Sequence, residues 1–262
     1  MKHIIDLDRF PLDRPGSDDW NALVAKSREA LVANGMFDLE GFLLPGVAER
    51  AAAEIKPAMD SRSHEHRRVH NIYFKPQIPE LPADHPALRK VETVSHTLCA
   101  DQMPESIVLA IYEYAPLATF LAATMDKQAL YVMDDPLARA NVMAYRAGEA
   151  LNWHFDRSEF TTTLLLQAPD EGGAFEYRTD LRSDTDPNYP GVAQLLEGRD
   201  SLVKTTRLKP GTLNIFRGKN TAHRVTPVAG DRERIIAVFS YYERQGVMFS
   251  PEERFGFYGR AA

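Results

Sequence analysis

In the stretch Asn152-Trp153-His154-Phe155-Asp156 an imidazole and a carboxylate stand two residues apart. In an extended strand that spacing turns both side chains to one face. A further imidazole, His223, comes much later, past a Pro210-Gly211 turn and an apolar run that can carry it back across a β-structure. Two histidines and one carboxylate on one side of a metal suit Fe(II), and they leave positions open for substrate and O2. An H-x-D triplet is also common by chance, and a histidine can equally be a hydrogen-bonded core or surface residue. Arg234 adds a second kind of chemistry, because it opens the apolar run Ile235-Ile236-Ala237-Val238-Phe239. A guanidinium buried there needs an anionic partner, and its planar fork fits a carboxylate at two points, as a dicarboxylate cosubstrate provides. Asp231 or Glu233 would be the protein partner instead, and Arg232 is the rival cation. Tyr145, before Arg146-Ala147-Gly148, stands where its hydroxyl could meet a metal-bound cosubstrate, and Gly172-Gly173 permits close backbone approach.

The elements that must position these residues change character along the chain. Ser17 caps a helix through Trp20, Leu23, Val24, Leu31 and Val32, with Asn34-Gly35 as its stop. A short strand near Met36–Leu44 leads to a second helix from Val47 to about Pro57. Residues 61–90 read as an irregular, basic and then proline-rich stretch, a candidate lid, followed by helical spacing from Met103 to Tyr131 broken near Pro116. Beyond residue 136 short strands alternate with turns, which predicts a sandwich or barrel. The expected class is α+β in one domain over 1–262: residues 1–135 a mainly helical buttress and lid region, residues 136–262 the β-core. The helices could also offer a homodimer face.

Composition narrows the function. The 262 residues are 44% hydrophobic and 26% charged, an ordinary globular balance. A net charge of −6 gives no cationic surplus for a nucleic-acid backbone. One cysteine excludes an internal disulfide and any multi-cysteine metal centre. No apolar run approaches the roughly 18 residues of a membrane span, and the mixed charges of the first residues do not resemble a secretion signal. These features predict a soluble, cytoplasmic protein with a sizeable core and neither nucleic acid nor membrane as partner.

Taken in order, Tyr145–Gly148, His154–Asp156, Gly172-Gly173, Lys209–Leu213, His223–Val225 and Arg234 resemble the Fe(II)/2-oxoglutarate-dependent oxygenases of the double-stranded β-helix (jelly-roll) fold, especially their prolyl-hydroxylase-like branch. With the His70–Phe74 and Ser95–Gln102 segments added, the chain is most similar to the group that hydroxylates or chlorinates free amino acids, whose lysine-acting radical halogenases are the best-known members. The resemblance implies a small-molecule substrate, Fe(II) on His154, Asp156 and His223, 2-oxoglutarate with its far carboxylate on Arg234, and O2 as oxidant, with succinate and CO2 released. In the halogenases of that group Gly or Ala replaces the metal carboxylate and chloride takes its place. Asp156 keeps the carboxylate here, so the expected outcome is hydroxylation, with desaturation or cyclisation starting the same way.

Substrate recognition is less sharply written. A free amino acid needs a cation for its carboxylate, and Arg68 and His70 are the candidates, with a solvated basic loop as the plain alternative. Trp153, Arg157, Ser240 and Tyr242 are candidate pocket residues, each equally able to be barrel packing or surface. Three other readings stay open: an oxygenase acting on a peptide side chain or other metabolite, a cupin-like metal-binding module without turnover, and a Lewis-acid hydrolase or isomerase.

Overall fold

The computed structural model describes residues 1–261. In chain order its main elements are α1 (Asp18–Asn34), β1 (Met36–Leu39), α2 (Val47–Arg62), β2 (His64–His70), β3 (Val91–Cys99), α3 (Ile107–Tyr112), α4 (Ala115–Thr124), β4 (Tyr131–Val132), β5 (Ala140–Tyr145), β6 (Leu151–His154), β7 (Thr161–Gln167), β8 (Glu171–Gly172), β9 (Phe175–Arg178), α5 (Tyr189–Leu196), β10 (Lys204–Thr206), β11 (Leu213–Phe216), β12 (Ala222–Val225), β13 (Val228–Ala229), β14 (Arg234–Phe239), β15 (Tyr241–Tyr242) and α6 (Pro251–Tyr258). A seven-stranded sheet runs β1-β11-β7-β14-β5-β3-β2, and a four-stranded sheet runs β10-β9-β12-β6. All the named strand pairs are antiparallel.

The large sheet has two different faces, because alternate residues of a strand point opposite ways. Ile235, Ala237 and Phe239 of β14, with Val142 and Ala144 of β5 and Leu164 and Leu166 of β7, join the main core beneath the helices. Residues of opposite parity, Tyr145, Leu165 and Ile236, form a separate cluster on the other side. Arg234 pairs directly with Tyr145 across the ladder, so the two share that second side. Helix α1 begins where Ser17 accepts the Trp20 N–H and ends at Gly35, whose φ of 71° suits a residue without Cβ.

Two expectations need correction. Helix α2 does not stop near Pro57 but continues to Arg62, since its buried stripe of Ala51, Ala52 and Ile55 extends to Met59 beyond the proline. The basic stretch His64–His70 is not irregular: it is an edge strand in full antiparallel register with β3, Arg67 facing Val94 and Arg68 facing Thr93. The first 135 residues also supply β1, β2 and β3, three strands of the large sheet, alongside their four α-helices. The proline-rich segment that follows packs against the smaller sheet, with Ile72, Tyr73, Ile78 and Ala87 in one cluster with Phe155, Val192 and Leu195.

Candidate active site

Strand β6 delivers His154 and strand β12 delivers His223 as direct cross-strand partners, and Asp156 follows two residues beyond His154. The three present donor atoms that all lie within 4.8 Å of one another. Asp156 Oδ1 stands 3.2 Å from His154 Nε2 and 3.4 Å from His223 Nε2. Each imidazole is oriented from behind. His154 Nδ1 donates to the Asn152 carbonyl at 2.8 Å and His223 Nδ1 to the Thr221 carbonyl at 3.0 Å. A carbonyl can only accept, so both rings carry their proton on Nδ1 and keep Nε2 free as a metal ligand. Both rings are buried, and Phe216 and Phe175 close over His223 at 4.8 and 5.8 Å between centroids.

The Asp156 carboxylate dominates the electrostatics of the group. Burial holds the His154 imidazolium down, and the neighbouring His223 adds to this. Burial alone would raise the Asp156 carboxyl, yet His223 and His154 hold it well below the usual carboxylate range. Burial alone would likewise lower His223, and the facing Asp156 carboxylate reverses the sign. The donor set, its spacing and its free Nε2 atoms fit a divalent iron ion, with one face of the ion left open.

Arg234 sits 3% exposed and makes no hydrogen bond or ion pair among the described residues. Burial pushes its guanidinium down to about 10. It lines a cavity of about 220 Å³ with Leu165, Gly172, Gly173 and Phe175. Phe175, on the wall of that cavity, is also the ring beside His223. Gly172 and Gly173 have φ of 69° and 59°, and a methyl at Gly172 would come 1.9 Å from the Pro227 carbonyl oxygen. A methyl at Gly173 would press on Arg234 Cδ at 3.1 Å. Tyr145 is buried with a phenol pushed up to about 12 by burial, and both Arg234 and Asp156 lie near enough to act on it. The rival Arg232 is exposed, in a surface cleft with Lys56, Arg146 and Glu233, because β14 begins only at Arg234. It does not share the buried face.

The other candidates separate. Trp153 points to the opposite side of β6 from His154, into the cluster of Ile72 and Phe155, with Arg224 stacked 4.9 Å from its ring centre. It does not line the site. His70 is close to His154, but both its ring nitrogens are engaged: Nδ1 donates to the Asn71 carbonyl, and Nε2 accepts from the Thr93 hydroxyl at 2.9 Å. It therefore braces the wall and offers a substrate no free polar atom. Arg68 stays open: its guanidinium lies 4.3 Å from the Phe74 ring centre with no carboxylate bound. Arg157 is exposed and pairs with Glu253 of α6 at 2.8 Å. Tyr242 packs beside Phe249 and Phe257, and the Ser240 backbone ties β14 to Tyr112 and Arg139.

Sequence reasoning passed over three residues. Phe74 holds a φ of 54°, stacks on His70 at 4.5 Å and stands edge-on to His154 at 6.0 Å. A bulky side chain in the left-handed region is strained, and such strain gathers at functional sites. Thr161 donates its hydroxyl to Asp156 Oδ2 at 2.5 Å, and the Asp156 N–H donates to the Gly218 carbonyl at 3.1 Å. Nothing local in the sequence marks either contact, because each joins segments that meet only in the fold.

The sequence pattern of the Halogenase D family matches residues 19–249. No curated protein matches the chain. Among solved structures, one similar chain is an oxidoreductase of the 2OG-Fe(II) oxygenase family from Burkholderia pseudomallei, with TM-score 0.53, 15% identity, and 89% of this chain and 94% of that one covered. A prolyl hydroxylase from Trichoplax adhaerens, in complex with a peptide fragment of hypoxia inducible factor, gives 0.55 and 12%, covering 86% and 91%. The epimerase SnoN in complex with Fe3+, alpha ketoglutarate and nogalamycin RO gives 0.56 and 13%, covering 84% of each chain. These likenesses show a shared double-stranded β-helix fold.

Proposed function

Because the chain belongs to the Halogenase D family and keeps a carboxylate at the third metal position, we propose that it is an Fe(II)- and 2-oxoglutarate-dependent oxygenase that hydroxylates a small carboxylate-bearing substrate, a free amino acid foremost. The observation that carries this reading is the pairing of a three-donor metal site with an unpartnered buried arginine at the head of the adjoining cavity. A structural metal site has no use for such an arginine, which argues against a binding module without turnover.

Iron with 2-oxoglutarate and O2 supplies the power to oxidise an unactivated C–H bond, releasing succinate and CO2. The chain's own residues do the rest. His154, Asp156 and His223 hold the ion, each imidazole fixed by its Nδ1 bond to a carbonyl. Arg234 binds the far carboxylate of the cosubstrate, and the partner it gains offsets the cost of its burial. Gly172 and Gly173 let the backbone close around that end, and Tyr145, paired with Arg234 across the ladder, lies near enough to Arg234 and Asp156 to feel their charges. Phe74 and Phe175 keep water from the reacting carbon. At the mouth Arg68, backed by Phe74 and left without an acid partner, receives the substrate's carboxylate. With Asp156 on the ion, chloride has no ligand position to take, so the product carries hydroxyl.

The test is to mix anaerobic protein with Fe(II), 2-oxoglutarate, chloride and a pool of free amino acids, then admit O2 and follow products by mass spectrometry. An amino acid gaining one oxygen, matched by succinate, is the expected result. A chlorinated product would overturn the reading of Asp156. Succinate without a modified amino acid would move the substrate to a peptide, the reading that the Trichoplax complex favours. Turnover with zinc in the absence of O2 would replace the oxygenase by a Lewis-acid enzyme.

A further inference from the structure

Asp156 divides its two oxygens between different tasks. Oδ1 faces both histidine Nε2 atoms, while Oδ2 accepts the Thr161 hydroxyl at 2.5 Å. The space on the Oδ2 side is closed as well: a methyl on Gly218 would come 2.2 Å from that oxygen and 2.8 Å from the carboxyl carbon. The Asp156 N–H is tied to the Gly218 carbonyl, which anchors the backbone that carries the carboxylate. Thr161 opens β7 of the large sheet, pairing with Phe216, whereas Asp156 continues β6 of the small one. Ser158 Oγ lies 3.4 Å from Thr161 Oγ1 and can donate to it, which leaves the threonine proton for the carboxylate.

We propose that Thr161 is a positioning residue that keeps Asp156 a one-oxygen ligand, with Gly218 leaving the room that this carboxylate rotamer needs. This rests on the metal reading of the site. A carboxylate free to turn can offer both oxygens and fill a second position on the ion. Held by Thr161, it fills one, and the position beside it stays available to the cosubstrate or O2.

The test needs no turnover. Co(II) is titrated into the chelator-treated full-length protein, and its affinity and ligand-field absorption are recorded. Thr161→Val, nearly isosteric, should weaken Co(II) about tenfold, the lower end of what loss of a ligand's hydrogen-bond partner costs, and should change the absorption. Thr161→Ser keeps the hydroxyl and should restore both. Gly218→Ala should reproduce the loss by crowding from the other side. Melting curves establish that each variant is folded. Wild-type affinity and absorption in Thr161→Val would overturn the proposal, as would a folded Thr161→Ser that behaves like the valine variant. A wild type that binds Co(II) tightly but never consumes 2-oxoglutarate would sink the oxygenase reading alone, because the Co(II) comparison would still decide the role of Thr161.

Discussion

Asp135 and Arg234 are both buried charges, and the fold treats them in opposite ways. Asp135 is fully enclosed at the start of the turn before β5. It accepts the N–H groups of Leu137, Ala138 and Phe249 and the guanidinium of Arg254 on α6. Arg234, as deep in the molecule, has no partner among the described residues and faces a cavity. A saturated charge is a strut, while a charge left in deficit is waiting for a ligand. The contrast separates the part of the molecule that holds α6 in place from the part that handles the cosubstrate.

The largest expected effect tests the strut. Asp135→Ala strips the N–H groups of Leu137, Ala138 and Phe249 and the half-buried Arg254 of their shared acceptor and should cost about 3–5 kcal/mol, read as a fall in the urea midpoint. Arg234→Met inverts the pattern. It should weaken 2-oxoglutarate about a hundredfold, near 2.7 kcal/mol at 1.36 kcal/mol per tenfold, while stability without cosubstrate stays level or rises. A loss of stability in Arg234→Met comparable to that in Asp135→Ala would break the comparison.

Acid offers a milder probe of the same strut. Burial alone would raise the Asp135 carboxyl, but the N–H of Ala138, Arg254 and the N–H groups of Phe249 and Leu137 overcome it and leave it below its ordinary value. A depressed folded pKa stabilises the protein above the unfolded value near ~3.9, and that contribution fades as pH falls through the folded one. Urea titrations between neutral pH and acid should therefore show wild type converging on Asp135→Asn only below about pH 4. The smallest effect belongs to the two residues set aside by the geometry. Arg232→Ala and Trp153→Phe should each change 2-oxoglutarate affinity by less than about twofold, since exposed or outward-packed substitutions sit within ±0.5 kcal/mol.

The α+β class and the His154–Asp156 pair are legible in the sequence because both rest on local spacing, whereas His223 joins them only through the order of motifs that the resemblance supplies. Alternation marks β7 and β14, and the period of two that puts His154 with Asp156 also puts Trp153 on the far side. That parity was available and argues against the tryptophan from the start. Arg232 fails for a different reason: it has the parity of Arg234, but the turn has not yet become strand. Strand β2 was hidden because its residues, His64-Glu65-His66-Arg67-Arg68-Val69-His70, include one aliphatic side chain, and it becomes a strand by pairing with β3. Thr161 and Gly218 are invisible for the same reason at the scale of single atoms. Their meaning arises only where two sheets close on one carboxylate.

Strand β6 has one neighbour only, β12, and forms the border of the smaller sheet. It carries His154 directly opposite His223. An ion held by both would consequently be a rivet through the last seam of the sheet, and removing it would loosen a border otherwise held by the β12 ladder on one side and by the Asn152 hydrogen bonds to Thr93 and Glu92 of β3 on the other. Chelators used in purification would then do more than strip the protein of a reagent. At ion concentrations a hundred times the dissociation constant the rivet adds about 2.7 kcal/mol, and amide exchange along Leu151–His154 should quicken first when it is withdrawn.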